Sequence, residues 1–338
     1  MKTIHNLSKR GFTLIELMAA MAITSILILV IVALTSKGVD MWRMVIQDVR
    51  TSAMDRVAMD TMTKDFESMQ IRSGNGFEWL NVQRDPDFEN NSLVMGPKGA
   101  KFANASRLIF FTVATDRNPA IRSDEAKSYR EDMNANKKTS GDVSCVAYKL
   151  AYRDQILNQE AGEDNVGFPV YSLYRNLVPP HRTFEDLLGK TDLYQAYKRF
   201  ESDETRPLNF LVENIVEMTL VFEVEYQDKI TKDGENPLAW RELRPVPIIA
   251  TGMARRGTYR ELRIYGNHID AMMQGSRNSD MMYGSVVGLN IALTVVTDEG
   301  MIIVDQVRKG ERPMPKAETF FSKYTRSFSQ RVEIPKAD

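Results

Sequence analysis

Residues 12–35, FTLIELMAAMAITSILILVIVALT, carry a single ionisable side chain, Glu16. In a helix rising about 1.5 Å per residue they span roughly 36 Å, enough to cross a hydrocarbon core of about 30 Å. This constrains the plan of the chain, because whatever follows such a span lies on one side of a membrane. The residues before it, MKTIHNLSKRG, include Lys2, Lys9 and Arg10 and no acid, whereas the flank after it mixes Lys37, Asp40 and Arg43. That asymmetry predicts a single pass with the N-terminus in the cytoplasm and the bulk of the chain outside it. A secretory signal fits poorly, since its apolar core usually runs about 7–15 residues and ends at a small-x-small cleavage site. A plain anchor helix fits better, but it gives Glu16 no role. A carboxylate at the centre of a span costs about 2.5–3.5 kcal/mol or more, less toward its ends, and is expected to have a partner and a function.

The segment Lys9-Arg10-Gly11-Phe12-Thr13-Leu14-Ile15-Glu16-Leu17 resembles the prepilin motif of type IV pilins and type II secretion pseudopilins. The matching features are the basic pair, the Gly before the cut, the Phe after it and the Glu five residues into the mature chain. The resemblance implies that a membrane aspartyl prepilin peptidase cuts after Gly11 and N-methylates Phe12. The cut would leave a new α-amine, and Glu16, one helical turn away, would pair with that amine on a neighbouring subunit and set the register between packed helices. Pairing would offset the desolvation of both groups. Many major pilins carry a proline midway along this helix; here Ala33 stands in a run with no proline from Phe12 through Arg72, so a continuous helix is expected.

Apolar residues recur at helical spacing beyond the span, at Trp42, Ile46, Val49, Ala53 and Val57, then at Met59, Met62, Phe66 and Met69. The slip between Val57 and Met59 marks a change of face. The pattern predicts an amphipathic continuation over residues 36–72, ended by Ser73-Gly74-Asn75-Gly76. The full helix would have about 60 residues and run near 90 Å. Its second half is expected to pack on a head domain, residues 73–338.

The head reads as strands. Residues 107–113, 143–152, 170–174, 215–226, 290–296 and 328–334 are rich in β-formers. Thr297-Asp298-Glu299-Gly300 between two apolar runs predicts a hairpin. Residues 116–142, 176–207, 228–257 and 266–285 read as polar insertions. The fold class expected is therefore α+β: a long N-terminal helix, its first half in the membrane, on an antiparallel sheet. The order Cys145-Val-Ala-Tyr-Lys-Leu, Tyr174-Arg175 and Leu211 through Tyr226, with Asp60-Thr-Met-Thr-Lys-Asp-Phe in the helix, is similar to J-type minor pseudopilins. The chain is larger than usual for that group.

No enzyme constellation stands out. His5, His181 and His268 lack metal-ligand spacing, and the sole cysteine, Cys145, reads as a small core residue. Residues 96–101, GPKGAK, lack phosphate-loop spacing and read as a turn. Arg255, Arg256, Arg260 and Arg263 read as a solvated strand edge. Asp85, Asp87 and Glu89 lie in one loop, as calcium ligands do, though a surface turn explains them equally. A net charge of −1 and dispersed aromatics give nucleic acid no platform. The expectation is a structural protein with no catalytic residue, cofactor or metal. The resemblance implies partners: the prepilin peptidase, other pilin or pseudopilin subunits and an inner-membrane assembly platform, within a protein secretion machine. An adhesive minor pilin shares the same leader. A tethered enzyme would leave Glu16 without work.

Overall fold

The computed structural model describes residues 13–84, 106–113, 142–154, 159–160, 170–227, 241–249, 259–273, 278–313 and 315–335. Lys9, Arg10, Gly11 and Phe12, the possible calcium ligands Asp85, Asp87 and Glu89, residues 96–101, and Arg255 and Arg256 lie outside them. The chain divides into two compact units, Met1–Arg50 and Thr51–Asp338. In the first, every described residue from Thr13 to Ile46 is exposed, and all of them from Leu14 onward are helical.

Helix α1 is Leu14–Glu67. Within the second unit, Ala58, Met59, Met62 and Phe66 of α1, with Met69 just after it, are buried in the main core. Ala53 and Val57 on the same turns are exposed. The change of face predicted near Val57 is therefore real, and the stripe at Met59, Met62, Phe66 and Met69 packs in the core of the second unit. Trp42, Ile46 and Val49 belong to the first unit. The helix also stops at Glu67, before the glycines. The Thr112 hydroxyl donates to the Asp65 carbonyl, and Met69 enters a bridge with Thr112. The sheet thus captures carbonyls that another helical turn would have used.

The strands are β1 Glu78–Arg84, β2 Ser106–Thr112, β3 Ser144–Asp154, β4 Gln159–Glu160, β5 Val170–Val178, β6 Phe210–Glu213, β7 Ile215–Gln227, β8 Arg241–Ile249, β9 Tyr259–Tyr265, β10 Ile269–Met273, β11 Ser279–Met282, β12 Gly284–Val296 and β13 Thr325–Glu333. They form one sheet in the order β13-β12-β7-β8-β9-β1-β2-β3-β5-β6, with β10, β11 and β4 as branches. Every described pairing is antiparallel except β8 with β9, which meet at Ile248 and Tyr259. Asn214 carries the chain from β6, paired with β5, into β7, paired with β12 and β8. Its φ of 66° is left-handed, a conformation asparagine tolerates better than most residues. Its N–H donates to Tyr171 and its carbonyl accepts from Val296, so the kink leaves no backbone group unpaired. The fold is α+β and pilin-like in plan: a long N-terminal helix and an antiparallel sheet.

Hydrophobic clusters occupy both faces of the sheet. On one, Phe66 of α1 stacks on Phe110, which stacks on Tyr148. On the other, Leu187, Leu193 and Tyr197 cover Trp79, Phe111 and Cys145. They come from helical turns within residues 180–209, so the predicted polar insertion at 176–207 is an ordered cover. Its apolar residues are widely spaced, which hid them. Glu204 pairs with Arg107 of β2 and Glu78 of β1 accepts from the Leu193 N–H, contacts that fasten the cover to the sheet, while Asp186 pairs with Arg199 within the cover. The insertions at 228–257 and 266–285 likewise contain strands, β8 in the first and β10 and β11 in the second.

The predicted hairpin at 297–300 is a helix start. Gly300 N–H donates to the Thr297 hydroxyl, with Asp298 and Glu299 in the first turn of α2, Asp298–Arg308. Cap and acids together stabilise a helical N-terminus. Met301 and Val304 are buried with Phe320 of the next helix, α3, Ala317–Tyr324. The strand that pairs with β12 on this side is β13, which extends the predicted 328–334 run backwards to Thr325. At Gly266 the backbone approach is too close for any side chain, since a Cβ would stand 2.4 Å from the Arg72 carbonyl oxygen.

Asp55, on the buried face of α1, is 7% exposed, and its Oδ1 accepts no hydrogen bond among the described residues. Burial, with the Asp60 charge adding to it, pushes this carboxyl from 3.8 up to about 6. The folded chain therefore holds the proton more tightly than the unfolded chain. The Asp55 contribution to stability is best near pH 4 and falls as pH rises through about 6. The full effect would be about 3 kcal/mol, and asparagine keeps part of the polar burial cost. Asp55→Asn is expected to stabilise the head by about 1–2 kcal/mol at pH 7 and by little at pH 4. Urea unfolding of both forms at the two pH values measures the difference.

Candidate functional site

The described part of the membrane segment begins with a local hydrogen-bond box. Thr13 N–H and Thr13 Oγ1 both donate to Glu16 Oε2 at 2.9 Å, and Glu16 N–H donates to Thr13 Oγ1 at 3.3 Å. This is a capping box, which satisfies backbone donors that the first helical turn leaves free. The Thr-x-x-Glu spacing at 13–16 is the sequence signature of such a box. Glu16 is exposed, so the box leaves it accessible at the start of the helix.

Beyond the box, α1 is built for hydrocarbon. Leu14, Ile15, Leu17, Met18, Met21 and Ile23 are each 57–79% exposed. The hydroxyls of Thr24, Ser25 and Thr35 donate to the carbonyls of Ala20, Met21 and Ile31 at 2.7–2.8 Å. Polar side chains in the span are thus satisfied within the helix, as a bilayer requires. Length and composition suit a membrane span.

The other residues singled out from sequence have structural surroundings. Cys145 is buried, and burial pushes its thiol well above the ordinary range, so it stays protonated as a core residue. His268 stacks on Tyr265, and its Nδ1 lies 2.6 Å from Asn267 Oδ1. His181 sits in the turn Pro180–Arg182, far along the chain from His268. Among the described residues no group of three or more His, Cys, Asp or Glu side chains is placed to hold a metal ion. Arg263, read as part of a strand edge, lies in β9, which has β1 on one side and β10 on the other. Its guanidinium donates to both oxygens of buried Glu78 at 2.9 and 2.8 Å.

Sequence reasoning missed one buried site altogether. Arg175 of β5 donates through Nε and Nη2 to the two oxygens of Asp65 in α1, at 2.7 and 2.8 Å. Tyr148 of β3, directly opposite Arg175 in the strand register, donates its hydroxyl to the same carboxylate. Burial and the Asp65 charge raise the Tyr148 phenol, so it keeps its proton and remains a donor. The available signal was an acid on the buried face of a helix, read as one charge among several.

Residues 6–32 match the family model of the prokaryotic N-terminal methylation motif. No curated protein and no solved structure matches the chain. The motif indicates a pilin-type subunit that prepilin peptidase processes and that assembles with other pilin subunits, and with the apolar helix it supports membrane anchoring. The N-terminal segment is thus of the prepilin methylation type carried by type IV pilins and pseudopilins.

Proposed function

We propose that this chain is a minor pseudopilin-like structural subunit of a short filament anchored in the inner membrane, part of a type II secretion-like machine. Prepilin peptidase cuts after Gly11, aided by Lys9 and Arg10, and methylates Phe12. The helix over residues 12–35 then packs in the filament core while the head faces the periplasm. Glu16 pairs with the α-amine of a neighbour's mature N-terminus. The chain acts by assembly and not by catalysis.

The observation that carries this reading is the placement of Glu16, one turn into an exposed apolar helix inside the matched motif. The reading as a tip or regulatory subunit draws support from the head, where residues 180–209 and the helices α2 and α3 enlarge the sheet. The same enlargement suits an adhesive minor pilin, which surface labelling of the head on intact cells separates from a periplasmic subunit.

Intact-mass and N-terminal analysis of the protein from its own membrane tests the proposal. A chain starting at N-methylated Phe12 is expected. Gly11→Asp is expected to abolish the shortened product. A shortened product from that variant, or a wild-type chain still starting at Met1, overturns the assignment.

A further inference from the structure

β13 ends the strand order, and no described strand pairs with its outer edge. Its register with β12 runs from Thr325 opposite Val296 to Glu333 opposite Gly288 without a shift. In an antiparallel ladder the N–H and C=O of one residue point to the same side, and successive residues alternate. Both ends of this ladder fix which residues point outward. Thr297 N–H donates to the Tyr324 carbonyl and Ile334 N–H to the Val287 carbonyl, whereas Val296 N–H turns away to Asn214. Arg326, Phe328, Gln330 and Val332 therefore bond β12, and Ser327, Ser329, Arg331 and Glu333 present their backbone groups outward.

Little among the described residues blunts that edge. Edges are usually interrupted by proline, a bulge or a charge held over the backbone. From Thr325 to Glu333 there is no proline, glycine or bulge. Ser327 and Ser329 are exposed and small. The Arg331 side chain is drawn back across β12 to Glu223, with Nε at 3.2 Å and Nη2 at 2.8 Å. The outward Thr325 carbonyl accepts from Arg326 Nη1 at 3.0 Å. Among the described residues nothing bonds the outward groups of Ser327, Ser329 or Arg331.

The charge around the edge selects its partner. Residues 308–331 carry seven Lys and Arg and two Glu, in a chain of net charge −1. Asp305 takes Lys309 and Glu223 takes Arg331, but Arg312, Lys316 and Lys323 are exposed on the turn and helix that lead into β13. A second copy of this chain, paired edge to edge, would set that positive excess against itself. An acidic strand would be drawn to it.

We propose that the outer edge of β13 is a docking site for an extended, acidic segment of another protein, which adds a strand beside residues 327–331. Backbone bonds to Ser327, Ser329 and Arg331, spread over ~13 Å, hold the added strand. The surrounding lysines and arginines select an acidic segment over a basic one. The edge belongs to the head, and docking there does not depend on how α1 assembles.

Amide hydrogen exchange of the full-length chain in detergent micelles tests this with two probes, N-acetylated Glu-Val-Glu-Val-Glu-Val-Glu and its Lys-Val counterpart. The N–H groups of Ser327, Ser329 and Arg331 are expected to exchange freely in the chain alone, and about tenfold more slowly with the acidic peptide. By fluorescence anisotropy the basic peptide should bind about tenfold more weakly. Ser329→Pro removes an outward donor and leaves the bonds to β12 in place. It should weaken the acidic peptide about tenfold while the Phe328 amide keeps its protection. Protection of the three amides before any peptide is added shows that this chain or a second copy already fills the edge, and overturns the proposal. Equal binding of the two peptides overturns it, as does acidic binding that leaves the three amides unprotected. So does unchanged binding by folded Ser329→Pro, or the absence of binding at millimolar peptide. Should Ser329→Pro fail to fold, exchange in the wild-type chain decides alone.

Discussion

Arg175→Ala is expected to destabilise the head by about 3–5 kcal/mol, the range for stranding one member of a buried ion pair. Asp65 is 2% exposed and the Arg175 side chain 11% exposed, so water cannot take the place of the guanidinium. Both Asp65 oxygens accept from Arg175, and one also accepts from Tyr148, while the Asp65 backbone carbonyl is taken by Thr112. One residue therefore joins the last turns of α1 to β2, β3 and β5. Against a typical domain stability of about 5–15 kcal/mol, the loss is a large fraction of the whole.

Companion variants show what kind of loss it is. Arg175→Lys keeps the charge but not the fork, and is expected to lose about 1–2 kcal/mol. Tyr148→Phe removes one hydrogen bond to a charged group, about 1.5–3 kcal/mol. Asp65→Leu combined with Arg175→Met should recover most of the Arg175→Ala loss, since the penalty belongs to the stranded carboxylate. Urea unfolding measures all four. A double variant no more stable than Arg175→Ala would show that the pair holds the helix end by geometry, and not merely by mutual neutralisation.

What the sequence made legible follows from how local each signal is. The span over residues 12–35, the helix after it and the strands at 107–113 and 215–226 each declare themselves within a dozen or so residues, through run length or period. Thr297 defeated the same reasoning because a Thr-Asp-Glu-Gly run serves both a tight turn and a helix start. Only the i, i+3 burial of Met301 and Val304 against Phe320 separates the two. The stripe at Trp42, Ile46 and Val49 shows a second limit: periodicity reveals that a face is apolar and not what covers it. Arg175 and Asp65 stand 110 residues apart, and nothing near either one announces the other. The assembly segment was the most readable part of the chain because its chemistry is packed into consecutive residues. The covering turns at 180–209 were the least readable, tied as they are to distant strands by Glu204 on Arg107 and by the Leu193 N–H on Glu78.

Glu16 should give the second large effect, and the capping box at the head of α1 makes that prediction sharper. Glu16 serves its own helix through Thr13, a local role worth about 1 kcal/mol. In the proposed filament it also meets a neighbour's α-amine, which demands a negative charge. Glutamine separates the two roles, since its amide oxygen can accept from Thr13 N–H but carries no charge. Glu16→Gln and Glu16→Ala are both expected to insert and be cut after Gly11, yet to enter filaments at least tenfold less than wild type. An ion pair shielded from water is worth several kcal/mol once one partner is removed, far more than a cap. Thr13→Val, which weakens the cap and leaves the carboxylate, should reduce incorporation only slightly. Quantifying each variant in sheared or crosslinked filaments, with N-terminal sequencing of the same samples, reads assembly and processing separately. Wild-type incorporation of Glu16→Gln together with failure of Glu16→Ala would assign Glu16 to the helix cap alone, and the register between subunits would have to come from elsewhere along α1.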